Sequence, residues 1–122
     1  KLVDFLNQKK INSSKKLIFG NIRIKRDWGS SFEYMAACHK ILNSKNIEDY
    51  NIATGKTVSF LEVIKYAFKK KKLNYKKFVK FNKKFYRRFD IKENYADISK
   101  IKNFVKWKPQ TDYKSLIDKL LN

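Results

Sequence analysis

One pair of side chains has a spacing that can serve proton transfer. Tyr66 is followed four positions later by Lys70, and on a helix these two residues would share a face. A lysine ammonium placed there can lower the pKa of a tyrosine hydroxyl, which then exchanges a proton with a substrate. The chain has seven tyrosines, however, and lysines fill 69–72, so the spacing is expected by chance. We therefore expect no catalytic role for this pair.

The other reactive residue types are too few or too far apart to form a familiar site. The one histidine, His39, follows the one cysteine, Cys38, so the sequence predicts no Ser-His-Asp set, no disulfide and no metal centre. The three glycines, Gly20, Gly29 and Gly55, are widely separated. That separation fits neither a dinucleotide-binding glycine motif nor a phosphate-binding P-loop. We expect Cys38 to be a buried small apolar residue and His39 an ordinary helix residue.

Charge is the strongest compositional signal. Lys and Arg number 30 against 11 Asp and Glu, a formal net charge of +19, which is typical of nucleic-acid-binding proteins. Two interpretations stay open. The lysines are spread along the whole chain, and Lys, Asn, Ile, Phe and Tyr are abundant together, as an AT-rich coding sequence would produce; this predicts a solvated lysine surface. The alternative is a selected surface for a polyanion, although only four arginines are present for base contacts.

Size and composition predict one folded domain over residues 1–122. Hydrophobic residues make up 43% and aromatic residues 16% of the 122 positions, which is enough to bury a core despite the high charge. No apolar run approaches the ~20 residues that span a bilayer. The first ten residues lack the apolar region of a signal peptide. We therefore expect a cytoplasmic protein with no membrane contact.

Periodicity and capping signals predict a chain of class α/β. Helices are predicted at about 31–44, 60–70, 98–106 and 112–121, with the end of another helix in 1–10. Strands are predicted near 17–19 and 50–53, one or two more within 73–81, and turns at 12–14 and 54–55. The clearest helix start is Ser59, because Glu62 follows it in a capping box. The segment 21–29 shows no period.

Each predicted helix should bury one apolar stripe. The stripe of the first long helix comprises Met35, Cys38, Ile41 and Leu42. That of the 98–106 helix comprises Ile98, Ile101, Phe104 and Val105. That of the last helix comprises Leu116, Ile117, Leu120 and Leu121.

Five short motifs in a fixed order carry a more specific signal. They are Phe19-Gly20-Asn21, Lys25 to Gly29 (KRDWG), Tyr50 to Gly55 (YNIATG), Phe85-Tyr86-Arg87, and Trp107-Lys108-Pro109. Together they resemble GDP-mannose 4,6-dehydratases of the extended short-chain dehydrogenase/reductase family, in which leucine-glycine-asparagine, KRDWG, IATG, tyrosine-arginine-proline-x-glutamate and WKP occur in this order. The resemblance spans essentially the entire chain.

The resemblance implies the C-terminal part of such an enzyme, namely the end of the Rossmann-type sheet and the small α/β lobe that holds the GDP-sugar. The family's NADP-binding glycine loop and catalytic Ser/Thr, Tyr and Lys lie in an N-terminal half that we expect to be absent here. The family enzyme oxidises the sugar C4 hydroxyl with NADP, eliminates water between C5 and C6, and returns the hydride to C6. These residues alone should therefore be catalytically incomplete, with no catalytic residue and no metal. The expected partners are a GDP-sugar, the missing half, and further copies in the full-length enzyme.

The resemblance also implies the substrate-binding residues. Arg26 and Arg87 match the family's phosphate-contacting arginines, and a guanidinium can hold phosphate oxygens bidentately. Asp90 stands where the family has a glutamate for the ribose hydroxyls. Gly20 and Asn21 match positions in the nucleotide pocket, and Lys1 matches a lysine on the preceding helix.

The sequence departs from the family at three places. Arg88 replaces the family's proline, so this loop loses a fixed φ and gains a charge. Asp90 is one methylene shorter than the family's glutamate. A β-containing insertion of the family is shortened between about 70 and 80. A basic domain that binds nucleic acid or another polyanion is the alternative, and Leu73 to Phe89 has the mixture of aromatic and basic residues that it would use.

Overall fold

Helices and short strands alternate along the chain, which confirms the α/β class. The computed structural model describes residues 1–12, 14–45 and 47–121. In chain order the elements are α1 (Leu2–Leu6), β1 (Leu17–Phe19), β2 (Lys25–Asp27), α2 (Ser31–Leu42), β3 (Thr57–Ser59), α3 (Phe60–Lys70), α4 (Tyr75–Phe78), β4 (Val79–Phe81), β5 (Glu93–Asn94), α5 (Ser99–Phe104) and α6 (Tyr113–Leu120). The turn predicted at 12–14 includes residue 13, which lies outside the described residues.

The strands form two small sheets. β1 and β4 are parallel, with Leu17 opposite Val79. In the second sheet β2 lies between β3, to which it is antiparallel, and β5, to which it is parallel. β2, β3 and β5 were not predicted, because each has only two or three residues and no apolar alternation. The pairing between them, rather than local propensity, defines these strands.

Two predicted strand regions differ in the structure. Residues 50–53 belong to neither sheet, so the strand predicted there is wrong; Ala53 is nevertheless buried. Between 73 and 81 the chain forms α4 and then β4. The Asn74 side chain accepts a hydrogen bond from the Lys76 backbone N–H, 3.0 Å away, and this cap starts a helical turn where the sequence suggested a strand.

The helix α3 organises the larger of two apolar clusters. Its capping box is confirmed, since Ser59 Oγ accepts from the Glu62 backbone N–H at 3.2 Å and Glu62 Oε2 accepts from the Ser59 N–H at 3.1 Å. One face of α3 is buried, and its rings and aliphatic groups pack with α1, α4 and α6. This first cluster consists of Leu2, Phe5, Leu6, Leu17, Ile22, Val63, Ile64, Ala67, Phe68, Phe78, Val79, Ile117 and Leu121.

A second cluster is smaller and is built by α2, α5 and the motif segments around them. Its buried members are Ala37, Ala53, Ile98, Ile101, Val105 and Trp107. Half-buried side chains at its edge include Tyr34, Ile41 and Ile52. The Trp107 ring meets the Tyr34 ring edge-on, with centroids 6.5 Å apart, so this tryptophan of the Trp107-Lys108-Pro109 motif has a packing role.

The predicted apolar stripes were partly wrong. On α2, Met35 is 68% and Leu42 is 69% exposed, because the helix turns Tyr34, Ala37 and Ile41 toward the second cluster instead. Cys38 is half-buried rather than buried. Phe104 and Leu120 are exposed, whereas their helices bury Ile101 and Ile117 as predicted.

Candidate functional site

A cleft of about 340 Å³ lies where the end of β1, the strand β2, the start of α3 and the 85–90 segment meet. Its lining residues are Phe19, Gly20, Asn21, Ile24, Arg26, Phe60, Phe85, Arg87 and Asp90. These residues come from three separated stretches of sequence, 19–26, the start of α3 and 85–90. Of the substrate-binding residues expected from the sequence, the structure places Gly20, Asn21, Arg26, Arg87 and Asp90 on this cleft and Lys1 beside it.

Arg26 is held in place by its own surroundings. Its Nη1 donates to the backbone carbonyls of Lys25 and Ile91, each at 2.7 Å, and its Nη2 lies 3.3 Å from Asp90 Oδ1. The Asp90 side chain is 17% exposed. A guanidinium fixed on three sides is pre-oriented, so little side-chain entropy is lost when it binds a further anion.

Gly20 allows the 85–90 segment to approach the end of β1. A Cβ at this position would lie 2.5 Å from the Phe85 carbonyl oxygen, closer than van der Waals contact permits. The next residue, Asn21, accepts a hydrogen bond on Oδ1 from the Arg23 backbone N–H at 3.0 Å. Gly20 thus shapes the cleft by lacking a side chain, and Asn21 by holding the backbone of Arg23 with its side-chain oxygen.

Arg87 and Arg88 are neighbours with different surroundings. Both are exposed, but Arg87 lines the cleft, whereas the Arg88 guanidinium lies 5.8 Å from the centroid of the Phe89 ring. Lys1 donates from Nζ to the Ile18 carbonyl at 2.8 Å and lies 5.3 Å from the centroid of the Phe19 ring. Lys1 therefore does not line the cleft itself but lies against Phe19, which does.

The apolar walls of the cleft were missed in the sequence. Phe19 and Phe60 meet edge to face with centroids 5.1 Å apart, and Phe60 stacks on Trp28 at 5.7 Å. Phe85 adds a third ring. The motif positions of Phe19, beside Gly20-Asn21, and of Phe85, beside Tyr86-Arg87, could have indicated such a role, whereas Phe60 is an ordinary apolar residue at the start of a helix.

The aspartate of the KRDWG motif connects β2 to the YNIATG segment. Asp27 Oδ1 accepts from the Thr54 backbone N–H at 2.9 Å and from its hydroxyl at 2.6 Å, and Oδ2 accepts from the Gly55 N–H at 2.7 Å. Gly55 has a φ of 71°, a conformation that glycine adopts without strain. Burial, together with the nearby Asp27 carboxylate, raises the pKa of the Tyr34 hydroxyl to about 12.

Tyr66 and Lys70 have a structural role. The Tyr66 hydroxyl lies 3.0 and 3.1 Å from the two Asp118 carboxylate oxygens, and Lys70 Nζ lies 3.1 Å from Oδ1. These contacts join α3 to α6. Desolvation, aided by the hydrogen bond to Asp118, raises the pKa of Tyr66. That direction is the opposite of the one a proton-transfer tyrosine needs.

Two other cavities are weaker candidates. The first is less suited to a diphosphate, and the second overlaps the cleft. One of about 330 Å³ lies between Trp28, Thr54 and residues 109–113, and Lys56 is its one basic lining residue. The other, of about 720 Å³, shares Asn21 and Ile24 with the cleft.

Among the described residues, no three His, Cys, Asp or Glu side chains are grouped as a metal would require. Within the same residues, every helix is too short or too polar to cross a bilayer.

Comparisons with known proteins agree with the resemblance of the motifs. A family model described as GDP-mannose 4,6 dehydratase matches residues 1–120. GDP-mannose 4,6 dehydratase 1 of Arabidopsis thaliana is 29% identical over 122 residues, which is 100% of this chain but 34% of that protein. The chain therefore spans about a third of the length of the curated relatives it matches.

Two solved structures share the fold. The structure of RMD from Pseudomonas aeruginosa complexed with NADPH superposes with a TM-score of 0.83 at 16% identity, over 98% of this chain and 39% of that one. The dTDP-glucose 4,6-dehydratase of Bacillus anthracis in complex with NAD gives a TM-score of 0.79 at 18% identity, over 99% of this chain and 38% of that one. The fold predicted from the sequence, part of an extended short-chain dehydrogenase/reductase, is thereby confirmed.

Proposed function

This chain belongs to the GDP-mannose 4,6-dehydratase family, and from that premise we propose that residues 1–122 form one unit whose cleft binds the GDP portion of a GDP-sugar. The observation that carries the proposal is the convergence of Arg26, Arg87 and Asp90 on one cleft. The two guanidinium groups supply positive charge for a diphosphate, of which the Asp90 carboxylate offsets one unit through its contact with Arg26, and they lie beside an apolar wall that lowers the local dielectric constant.

Each polar residue has a distinct role in this proposal. Arg26, already fixed by two carbonyls, and Arg87, which is exposed and adaptable, hold the two phosphates. Asp90 binds Arg26 through Oδ1, and its Oδ2 accepts a hydrogen bond from a ribose hydroxyl of the substrate. Gly20 and Asn21 shape the nucleotide side of the cleft, and Lys1 supports it through Phe19.

The proposed reaction of the whole enzyme is the conversion of GDP-mannose to GDP-4-keto-6-deoxymannose with NADP. NADP, when bound, accepts and returns a hydride; the P. aeruginosa neighbour was solved with NADPH. The described residues do not fit this cofactor, because Gly20, Gly29 and Gly55 lie in separate segments and form no phosphate-binding loop. What this chain contributes is binding and orientation of the substrate.

Three further proposals rest on the family alone. The first is that residues 1–122 work joined to the remaining NADP-binding part of the fold. The second is that the full-length enzyme is a homo-oligomer, and the third is that it is located in the cytoplasm. The coverage of about a third of the curated relatives supports the first of these. Sedimentation and cell fractionation of the full-length protein would test the other two.

Polyanion binding is the second candidate function, and one surface favours it. Residues 80–95 expose several aromatic rings between cations; Phe81 is 52%, Phe85 62% and Phe89 87% exposed. Single-stranded nucleic acids bind such surfaces by base stacking and by charge. Binding of this kind would be strongly dependent on salt and insensitive to any single arginine.

Titration of GDP against wild type, Arg87→Ala and Arg88→Ala tests the proposal. We expect Arg87→Ala to cost roughly 2 to 3 kcal/mol of GDP-binding free energy, since a charge-assisted bidentate contact is lost. Arg88→Ala removes the same charge one position away, outside the cleft, and is the matched control. It should leave the affinity within about twofold of wild type.

A short DNA duplex and a single-stranded oligonucleotide complete the experiment, each at two salt concentrations. Equal losses of GDP affinity in the two arginine variants would contradict the proposal that this cleft binds GDP. Tighter binding of either nucleic acid than of GDP would favour the polyanion function instead.

A further inference from the structure

The cavity of about 330 Å³ between Trp28, Thr54 and residues 109–113 is separate from the proposed GDP-binding cleft. The two have no lining residue in common. We call the former the Trp28 cavity. Its volume is near the lower end of the range of roughly 300–1,000 Å³ that small-molecule sites occupy. This size suits a ligand of one ring rather than a nucleotide.

Hydrogen bonds to two carboxylates outside the Trp28 cavity fix its walls. On one side, Asp27 Oδ1 accepts from the Thr54 backbone N–H at 2.9 Å and from the Thr54 hydroxyl at 2.6 Å. On the other side, Glu33 Oε2 accepts from the Gln110 backbone N–H at 2.9 Å, and its Oε1 accepts from the Thr111 hydroxyl. Walls that are held in this way are ordered before a ligand binds, so binding costs little conformational entropy.

Trp28 supplies a flat apolar surface to the cavity. Its Nε1, the only polar atom of the indole, already donates to the Val58 carbonyl at 3.0 Å. The ring stacks on Phe60 with centroids 5.7 Å apart, which fixes its orientation, and it also lines the cavity together with Pro109. Two such rings offer dispersion contacts to a ligand with a flat C–H face.

Three polar groups that line the cavity are available to a ligand. Within the part of the chain that the structure describes, the Tyr113 hydroxyl, the Gln110 side-chain amide and Lys56 Nζ make no hydrogen bond and no ion pair. Tyr113 is half-buried, and a tyrosine hydroxyl in a partly apolar setting usually has a partner. These groups can both donate to and accept from the hydroxyls of a ligand.

Charge distinguishes the Trp28 cavity from the rest of the surface. Of the described residues that line it, Lys56 and Asp112 are the charged ones, so their charges cancel. The whole chain, in contrast, has 30 Lys and Arg against 11 Asp and Glu. An anionic ligand would find more positive charge almost anywhere else on the protein. The cavity is therefore suited to a ligand without net charge.

We propose that the Trp28 cavity binds an uncharged sugar ring. A pyranose combines a flat C–H face, for Trp28 and Pro109, with a rim of hydroxyl groups, for Gln110 and Tyr113. An aromatic amino acid is also neutral overall, but it needs Lys56 and Asp112 for its two charges, and both side chains are exposed, where such pairs contribute little. The proposal is independent of GDP binding, because the cleft contributes no residue to this cavity.

Titration of D-mannose and D-glucose, followed by calorimetry and by saturation-transfer NMR, tests the proposal. We expect both hexoses to bind with a Kd on the order of 1 mM and to receive saturation at their ring C–H protons. Tyr113→Phe keeps the ring and removes the hydroxyl, and Gln110→Ala removes the amide. Each should weaken hexose binding by about two- to tenfold, the effect of one neutral hydrogen bond.

Tyr95→Phe is the matched control, because Tyr95 is 64% exposed and lies outside the cavity. It should leave hexose binding unchanged, and so should saturating GDP. Gln110 is exposed, so Gln110→Ala provides a folded variant even where Tyr113→Phe alters the packing.

Four outcomes would overturn the proposal. Absence of saturation transfer to both hexoses would show that the cavity does not bind a sugar. Displacement of the hexose by GDP would place the sugar in the cleft. Equal weakening by Tyr95→Phe and Tyr113→Phe would indicate unspecific surface binding. Tighter binding of L-phenylalanine than of either hexose, with loss of that binding in Tyr113→Phe, would assign the cavity to an amino acid.

Discussion

The two apolar clusters of this chain are closed to different degrees. The first is surrounded by α1, α3, α4 and α6, and the exposed side of its central helix α3 is charged. The second has α2 as its main helix, and α2 shows an apolar stripe to the outside. α3 thus presents charged side chains to solvent, whereas α2 presents Phe32, Met35 and Leu42 beside Lys40. The two regions therefore differ in how much apolar surface their main helix leaves exposed.

The candidate cleft lies on the closed side of this division. Phe60 and Phe19 contribute to its wall and also pack against the first cluster. Asp27 then ties β2, which carries Arg26, to the segment that enters the second cluster. The residues of the proposed GDP-binding cleft are thus fixed by the better packed region.

The largest expected change in the free energy of unfolding comes from truncating two buried isoleucines, one in each cluster. Ile64 in the first cluster and Ile101 in the second are both fully buried. We expect Ile64→Ala to lower the free energy of unfolding by about 3–5 kcal/mol and Ile101→Ala by about 2–3 kcal/mol, because a thin cluster relaxes more easily around a cavity. Urea denaturation measures both. A larger loss for Ile101→Ala would contradict the comparison.

Asp27→Asn breaks the connection between the two regions. The amide would replace one acceptor oxygen by a donor that faces the Thr54 or Gly55 N–H, so we expect a loss of about 1–3 kcal/mol in unfolding free energy. Hydrogen exchange should quicken in α2 before it quickens in α3, because the second cluster loses its attachment. Uniform acceleration in both helices would show that the clusters unfold as one unit.

The smallest expected effect is the response of the two regions to acid. Burial is the largest single influence on the pKa of Glu33 and raises it, but the hydrogen bonds from Thr111 and Gln110 together outweigh burial and lower this pKa below its usual 4.5. These bonds tie α2 to the segment before α6. The Ser59 hydroxyl and N–H lower the pKa of Glu62. A depressed carboxyl pKa adds stability above the unfolded value, and that stability is lost as the pH falls through the folded value.

Unfolding free energies from pH 6 to pH 3 would test this expectation. Glu33→Gln should flatten the loss of stability below about pH 4.5 and loosen α2, whereas Glu62→Gln should loosen the start of α3. Hydrogen exchange at pH 4 locates each change. An unchanged pH slope in Glu33→Gln would show that its hydrogen bonds do not contribute to stability.

The strongly periodic and capped helices could be predicted from the sequence. α3 begins where the capping box indicated and spans the predicted residues 60–70, because a capping box acts between residues three positions apart. β2 could not be predicted. Its sequence is Lys-Arg-Asp, and it is a strand only because β3 and β5 lie beside it. The strand predicted at 50–53 failed for the opposite reason, since good strand residues need a neighbouring strand to pair with.

The sequence by itself determined the α/β class, the family and the motif residues that lie on the cleft, Gly20, Asn21, Arg26, Arg87 and Asp90, because the motifs that carry them are short runs in a fixed order. Only the tertiary structure decided which face of α2 is buried, that Arg26 binds Asp90, and that Phe60 and Phe85 form the apolar wall. Those facts depend on side chains far apart in sequence, such as Arg26 and Asp90, 64 positions from each other. Local periodicity contains no information about contacts of that length, which arise only when the strands pair and the helices pack.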